Sequence, residues 1–192
     1  MATQIGPVPR LPGRGPHEKS ELVDPNSAEW VDVVDDDDHV VDRATRAEMR
    51  TRNLLHRTVY VFVLNTRGEL FVHRRTATKD VYPGYCDLTI GGVVGAGEDY
   101  DAAAERELAE ELGLVGAPIV RLGNLRYADE GTRVCGMVYL TRHDGPFVLQ
   151  AEEIASGGFV SLAQAKRVAR EERCCPDAIA ALEAYGDAVS SR

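Results

Sequence analysis

Short runs of β-branched and aromatic residues, separated by turn residues, characterise the chain after residue 28. Two such runs flank the acidic stretch Asp35–Asp38 and predict a hairpin with a solvated turn. Two further runs in TVYVFVLNTRGELFVHRR are joined by a turn at Asn65–Gly68 and predict another pair of strands. Because the first strand of this pair is apolar almost throughout, we expect it in the centre of a sheet.

The rest of the chain alternates between extended and helical patterns. Extended runs are predicted in CDLTIGGVV, PIVRLGNLRYAD and TRVCGMVYLTRH. Helical runs are predicted in ATRAEMRTRNLL, DAAAERELAEEL, SLAQAKRVAREE and PDAIAALEAYGDAV, the last with Asp177 as an acid in its first turn. This order of elements predicts an α/β (α+β) fold in which a mixed β-sheet is covered by helices on both faces.

Residues 1–28 are rich in proline, glycine and charge, a composition that buries too little apolar surface to offset the entropy of ordering. We therefore expect a flexible N-terminal arm at 1–28. One domain should follow over residues 29–192, with the hairpin as its N-terminal extension. The length of 192 residues and the hydrophobic content of 44% suit this organisation.

The formal net charge of -9 argues against a surface that coats nucleic acid or an anionic membrane. The N-terminal residues contain no apolar core of a signal peptide, and no later segment has the length of uncharged sequence that spans a bilayer. The cysteines lack CxxC spacing and predict reduced thiols rather than a zinc site or a disulfide framework: Cys86, Cys135, Cys174 and Cys175. Together these features predict a cytoplasmic protein.

The candidate chemistry lies in the predicted helix that follows a glycine-rich stretch. Helical spacing places Glu107, Glu110 and Glu111 on one surface, beside an apolar stripe that can dock on the sheet. Like charges at this spacing cost about 0.2–0.5 kcal/mol per pair on an exposed helix. A bound divalent cation reverses that sign, and carboxylate oxygens suit Mg²⁺ or Mn²⁺. An acidic surface helix that binds nothing is the alternative.

The surrounding residues extend this pattern in a fixed order of glycine, acid, Arg-Glu, aliphatic residue, Glu-Glu, glycine and aliphatic residue. The positions are Gly92, Glu98, Arg106, Glu107, Leu108, Glu110, Glu111, Gly113 and Leu114. This arrangement resembles the signature of the Nudix hydrolases at every fixed position. The resemblance implies the Nudix fold, an α/β/α sandwich. It also implies metal ligands at the three glutamates, a backbone ligand at Gly92, and an orienting pair of Glu98 with Arg106.

Hydrolysis of a phosphoanhydride also requires a group that accepts a proton from the attacking water. Glu110 or Glu111 could do so within the motif. Outside it, Glu152 or Glu153 lies where Nudix proteins often place a further functional acid, although an exposed loop acid is the alternative interpretation. Glu153 is our candidate of the two.

A second resemblance concerns the residues before the Pro83-Gly84 turn. There Arg75 and Lys79 match an arginine and a lysine with which the type 1 isopentenyl diphosphate isomerases, relatives of the Nudix hydrolases, hold a diphosphate. The isomerases use a catalytic cysteine and a histidine-rich metal site, whereas this chain has Gly91 and Val93 at the corresponding positions. The chain therefore looks like the uncharacterised bacterial Nudix proteins that share the isomerase-like scaffold and keep the hydrolase motif.

The sequence thus predicts a Mg²⁺-dependent hydrolase, with Mn²⁺ as a possible substitute, that cleaves the diphosphate of a nucleoside diphosphate derivative. Two alternatives stay open: an isomerase of prenyl diphosphates, in which His56 matches one metal-binding histidine, and a Nudix module that binds a nucleotide without cleaving it. The expected partner is a small nucleotide or another diphosphate, not a membrane or a nucleic acid. The N-terminal hairpin could also extend the sheet of a second copy, which leaves a homodimer open.

Overall fold

The computed structural model describes residues 29–190, in which eight strands form one mixed sheet. The flexible arm expected at residues 1–28 lies outside the described range. The strands are β1 (Trp30–Val34), β2 (Val40–Thr45), β3 (His56–Leu64), β4 (Leu70–Arg75), β5 (Cys86–Asp87), β6 (Ile119–Ala128), β7 (Arg133–Arg142) and β8 (Ile154–Val160). The helices are α1 (Arg46–Thr51), α2 (Tyr100–Leu112), α3 (Leu162–Glu171) and α4 (Pro176–Ser190).

Strand β3 lies at the centre of the sheet, as its apolar sequence predicted. It runs parallel to β7 over its full length and antiparallel to β1 and β4. Strand β7 also pairs with β6, and β4 also pairs with β5 and β8. The expected hairpin is β1–β2, with β2 at an edge of the sheet. Pairing of that edge with a second copy stays a prediction.

The alternation of side chains along β3 divides the core into two layers. Its odd-numbered residues from Val59 to Val63 pack in a cluster with the apolar face of α2. Its even-numbered residues from Tyr60 to Leu64 pack in a second cluster with α3 and α4. Because successive residues of a strand point to opposite faces, one buried strand serves both layers. The sandwich of helices around a mixed sheet is therefore confirmed.

Two elements differ from the sequence expectation. The run CDLTIGGVV forms a strand only at Cys86–Asp87. The Asp87 carboxylate accepts hydrogen bonds from the Thr89 amide and hydroxyl. This local turn competes with strand pairing and ends the strand. Beyond the turn, the chain returns to β3 through an isolated bridge of Ile90 with Val61. Strand β8 was not predicted, because its sequence IASGGFV is poor in large apolar residues; pairing with β4 defines it.

The other expectations for the described residues can be compared directly with the structure. The first helix is shorter than predicted and ends at Thr51, after a capping box between Thr45 and Glu48. All four cysteines are buried and form no disulfide. Between residues 29 and 190 no helix has the length and apolar character required to cross a membrane.

Docking of α2 on the sheet should depend on Leu108, which is fully buried among apolar residues of β3. We expect Leu108→Ala to lower the free energy of unfolding by about 2–5 kcal/mol, because the substitution removes apolar contacts and leaves a cavity. Urea denaturation measures this change. Glu105→Ala, at an exposed position of the same helix, is the control and should change stability by less than about 0.5 kcal/mol. Equal losses in the two variants would contradict this packing.

Candidate active site

Helix α2 presents its acidic residues in two different environments. It begins after the N-cap Asp99, whose side chain accepts a hydrogen bond from the Ala102 amide, and it ends at Gly113 in the left-handed conformation with φ of 69°. Within these limits Glu107 and Glu111 face inward and are 8% and 3% exposed, whereas Glu110 is exposed. Two of the three predicted metal ligands are therefore desolvated.

Arg106 is the cation at the centre of this acidic surface. Its Nε and Nη2 atoms donate to the two carboxylate oxygens of Glu98 at 2.9 and 3.1 Å, which is the expected pair in bidentate form. Its Nη1 atom also donates to Glu107 at 2.7 Å and to Glu110 at 3.1 Å. The pKa of Glu98 is lowered, because its hydrogen bonds with Arg106 and the Gly95 amide outweigh the opposing effect of burial. One guanidinium thus connects the glycine-rich loop to the helix.

Glu111 has no comparable partner. Its carboxylate makes no hydrogen bond or ion pair with any residue between 29 and 190. Burial raises its pKa well above the usual range, and the negative charges of Glu107 and Glu153 raise it further. Burial also raises the pKa of Glu107, although Arg106 opposes the shift. The positive charges near the inner face of α2 are therefore too few to balance the negative charges of its carboxylates.

These carboxylates fit a divalent cation by the chemistry of their oxygen donors. Within the described part of the chain, no three His, Cys, Asp or Glu side chains are already arranged as a closed ion cage. An open set suits Mg²⁺, which usually keeps several waters and takes one or two carboxylates together with substrate phosphate oxygens.

Gly92 has a steric role beside Glu107. A Cβ atom at this position would lie 2.5 Å from the Glu107 Oε1 atom, so only glycine allows the carboxylate to approach the loop. The Gly92 carbonyl accepts hydrogen bonds from the Val59 amide at 3.0 Å and from the Thr58 hydroxyl at 2.8 Å. Its two lone pairs are therefore occupied, and the expected role as a backbone metal ligand would require one of these bonds to be given up.

The predicted phosphate-binding cations are both paired with acids. Lys79 donates to Glu153 at 2.6 Å, and Arg75 lies 3.5 Å from the Asp87 carboxylate. The neighbouring Arg74 points to the opposite face of β4, because side chains alternate along a strand, and it pairs with Glu172.

Glu153 directly precedes β8, whose pairing with β4 brings it to Lys79. It is therefore not a free loop acid: its side chain is 30% exposed, and its charge acts on both Glu107 and Glu111. Burial opposes its ionisation, but the hydrogen bond and charge of Lys79 are stronger in total and lower its pKa.

A cavity beside the Gly91–Val93 loop contains further residues that the sequence analysis did not place at the site. Asp177 was expected only as a first-turn acid of α4, but it is partly buried, lines this cavity and accepts a hydrogen bond from the Tyr60 hydroxyl at 3.0 Å. Burial, reinforced by the charge of Asp87, raises the pKa of Asp177 to about 6. No local spacing could have indicated this cluster, because its members come from β3, β5 and α4.

Arg46 and Arg50 of α1 also line this cavity, together with Arg75 and Lys79. Their separation of four residues places them on one face of the helix, and this spacing is the feature of the sequence that could have indicated a shared site. His56, which matched a metal-binding histidine of the isomerases, is a buried histidine whose Nδ1 atom lies 2.8 Å from the Leu54 carbonyl oxygen. Its burial outweighs that hydrogen bond and lowers its pKa to about 4, so the ring is neutral at pH 7.

An α+β sandwich that carries a glycine-rich loop and an acidic helix defines a protein of the Nudix class. Residues 54–177 match the family model described as the NUDIX domain. The chain therefore belongs to the Nudix family and is a Nudix hydrolase.

Close relatives support this assignment. The chain is 42% identical over 163 residues to the uncharacterized Nudix hydrolase PA4841 of Pseudomonas aeruginosa, covering 85% of this chain and 96% of that protein. It is 39% identical over 156 residues to the uncharacterized Nudix hydrolase YfcD of Escherichia coli K12, covering 81% and 86% of the two chains.

Solved structures share the fold. The crystal structure of DR0079 from Deinococcus radiodurans aligns with a TM-score of 0.70 at 27% identity, over 79% of this chain and 95% of the other. The NUDIX domain of Shewanella oneidensis NrtR, solved as a complex with ADP ribose, aligns with a TM-score of 0.58 at 15% identity, over 76% of this chain and 99% of the other. The second similarity concerns the fold alone.

Glu111 should destabilise the metal-free protein at neutral pH. Its folded-state pKa is raised, so the folded protein binds a proton more strongly than the unfolded chain, and stability falls as pH rises above the usual glutamate range. We expect Glu111→Gln to raise the free energy of unfolding by about 1 kcal/mol or more at pH 8 in EDTA, with a smaller gain at pH 5. Urea denaturation at the two pH values tests this, with the exposed Glu105→Gln as control. A variant that is less stable than wild type at pH 8 would refute the expectation.

Proposed function

We propose that this Nudix hydrolase is a divalent-metal-dependent enzyme that cleaves the diphosphate bond of a nucleoside diphosphate derivative. The observation that carries the proposal is the pair of desolvated carboxylates, Glu107 and Glu111, one helical turn apart and short of compensating charge. Nudix proteins generally use divalent metals such as Mg²⁺. Here Glu107, Glu110 and Glu111 would hold Mg²⁺, or Mn²⁺. When bound, the ion neutralises phosphoryl charge and lowers the pKa of a bound water.

Arg75 and Lys79 bind the diphosphate by exchanging partners. In the free protein each is already paired with a carboxylate, Arg75 with Asp87 and Lys79 with Glu153. Phosphate oxygens are strong acceptors for both cations, and the arginine can bind them in bidentate form. The substrate therefore competes with an internal acid at each position, and its binding releases that acid.

Glu153 is our candidate for the group that accepts the proton of the attacking water. While Lys79 is paired with it, its pKa is held low. Transfer of Lys79 to the diphosphate removes the partner that stabilises the Glu153 anion, and the nearby Glu111 charge then makes it more basic. Substrate binding thus prepares the base. Glu110 and Glu111 are the alternative acceptors, and the Glu98–Arg106 pair orients the loop and helix.

The isomerase alternative meets a steric obstacle at Gly91, where the isomerases carry their cysteine. A Cβ atom there would collide with the Val59 carbonyl of β3. A nucleophile at this position is therefore incompatible with the backbone of this chain. The set of three glutamates on α2 likewise favours catalysis over a module that only binds nucleotide.

Product release from a panel of nucleoside di- and triphosphates, dinucleotides and nucleoside diphosphate conjugates tests the proposal. With Mg²⁺ or Mn²⁺ we expect hydrolysis of at least one compound class, and a loss in kcat on the order of 10²–10⁴-fold in Glu111→Gln, since metal and proton transfer both depend on this face. Glu105→Gln should match the wild type. A wild type that releases no product from the panel, or a fully active Glu111→Gln variant, would reject metal-dependent hydrolysis.

Glu153 and Lys79 should affect different kinetic constants. We expect Glu153→Gln to lower kcat by about 10²-fold or more with little change in KM, because a proton acceptor acts in the transition state. Lys79→Gln should raise KM, because it removes a phosphate contact. The neighbouring Glu152→Gln, at an exposed position, is the matched control. Wild-type kcat in Glu153→Gln would assign the proton to another acceptor, Glu110 or Glu111.

A further inference from the structure

Positively charged side chains line part of the cavity beside the Gly91–Val93 loop, whereas the side chains on the acidic face of α2 are negatively charged. Arg46 and Arg50 of α1, Arg75 at the end of β4 and Lys79 in the segment after β4 line the cavity. Arg75 lies between the two regions, since its charge interacts with Glu111 on one side and with Arg50 on the other. The site therefore has two halves of opposite charge joined by one arginine.

The cations of this cavity are not equally compensated. Lys79 pairs with Glu153 at 2.6 Å, Arg75 with Asp87 at 3.5 Å, and Arg46 with Glu29 at 2.7 Å.

Arg50 makes no salt bridge with any residue that the structure describes. Burial lowers its pKa, and the positive charges of Arg46 and Arg75 lower it further, while Asp80 and Asp177 compensate only in part.

The arginines of this cavity also have hydrogen-bond donors that lack an acceptor. The Nε atoms of Arg46, Arg50 and Arg75 are all buried, and none has a partner within residues 29–190. A buried donor without a partner destabilises the fold, because it loses its hydrogen bond to water and gains none in the protein, and three such donors lie around one cavity. The acids of the lining do not reach these three Nε atoms: Asp87 lies 3.5 Å from the Nη1 atom of Arg75, and Asp177 accepts its hydrogen bond from Tyr60. An anion that enters the cavity would supply the acceptors that these three donors lack.

We propose that Arg46 and Arg50, with Arg75 at the border to the diphosphate, form a phosphate-binding subsite that holds a second phosphate group of the substrate, a phosphomonoester separate from the diphosphate that is cleaved. Phosphate presents several acceptor oxygens in a compact anion, and arginine forks are well suited to it. The identity of the ligand as part of the substrate rests on the proposed hydrolase function. The binding of phosphate by the three arginines does not depend on that function.

Calorimetric titration with inorganic phosphate in EDTA tests the subsite without any catalysis. We expect wild type to bind phosphate, Arg50→Gln and Arg46→Gln to bind at least 10-fold more weakly, and Arg50→Lys to fall between, because lysine keeps the charge and loses the fork. Arg52→Gln, at an exposed position after α1, is the matched control and should bind as wild type does. Thermal unfolding checks that each variant is folded. Equal phosphate affinity in wild type, Arg50→Gln and Arg46→Gln would overturn the subsite.

Kinetics then distinguish a substrate group from free phosphate. With nucleoside diphosphate derivatives that do or do not carry a 2′- or 3′-phosphate, Arg50→Gln should raise KM at least 10-fold only for those that carry it. A KM increase that is the same for both compounds would assign Arg50 to the diphosphate that they share, and an unchanged KM for both would assign the subsite to free phosphate; either result would overturn the assignment to a second phosphate of the substrate. If phosphate binding depends on Arg50 while wild type hydrolyses nothing, the subsite stands and the hydrolase proposal fails.

Discussion

The whole site depends on carboxylates that are buried on one face of a helix before any cation neutralises them. Burial raises the pKa of both Glu107 and Glu111; the charge of Glu107 raises the pKa of Glu111 further, and Glu110 and Glu153 raise the pKa of Glu107. Such a surface is stable only because α2 is held from elsewhere, by Leu108 in the core and by Arg106 across its acidic side. The absence of a side chain at Gly92 lets the loop close over Glu107. The burial that disfavours ionised carboxylates in the fold is thus the feature on which the proposed metal site rests.

The charges outside the helix are arranged in pairs that a substrate can exchange. Lys79 with Glu153 and Arg75 with Asp87 satisfy each other in the free protein, so the empty cleft contains few isolated charges on this side. Phosphate oxygens can replace each carboxylate, and the released acids then lie close to the acidic helix. Arg50 is the exception, because it has no acid to release. In the proposed function, this difference separates Arg75 and Lys79, which would bind the diphosphate, from Arg50, which would bind an additional phosphate.

Much of the fold followed from local patterns. The apolar run of β3 indicated a central strand, and it is the strand whose two faces serve both layers of the core. Prediction failed where pairing partners rather than composition define a strand. The middle of β8, residues 155–158, is polar or small and becomes a strand by pairing with β4, whereas CDLTIGGVV has strand composition but is interrupted by the turn at Asp87.

The sequence by itself determined the acidic helix, the glycine-rich loop and the Glu98–Arg106 pair, because these groups act together within a few helical turns and their spacing along the chain is their spacing in space. Tertiary structure decided the rest of the site. Lys79 and Glu153 are 74 residues apart in sequence, and Tyr60 and Asp177 are 117 apart. Sheet topology brings such groups together, and periodicity within a segment carries no information about which distant segment will lie beside it. The same reason hid the role of Arg46 and Arg50, whose cavity exists only once α1, β3, β4 and α4 have been assembled.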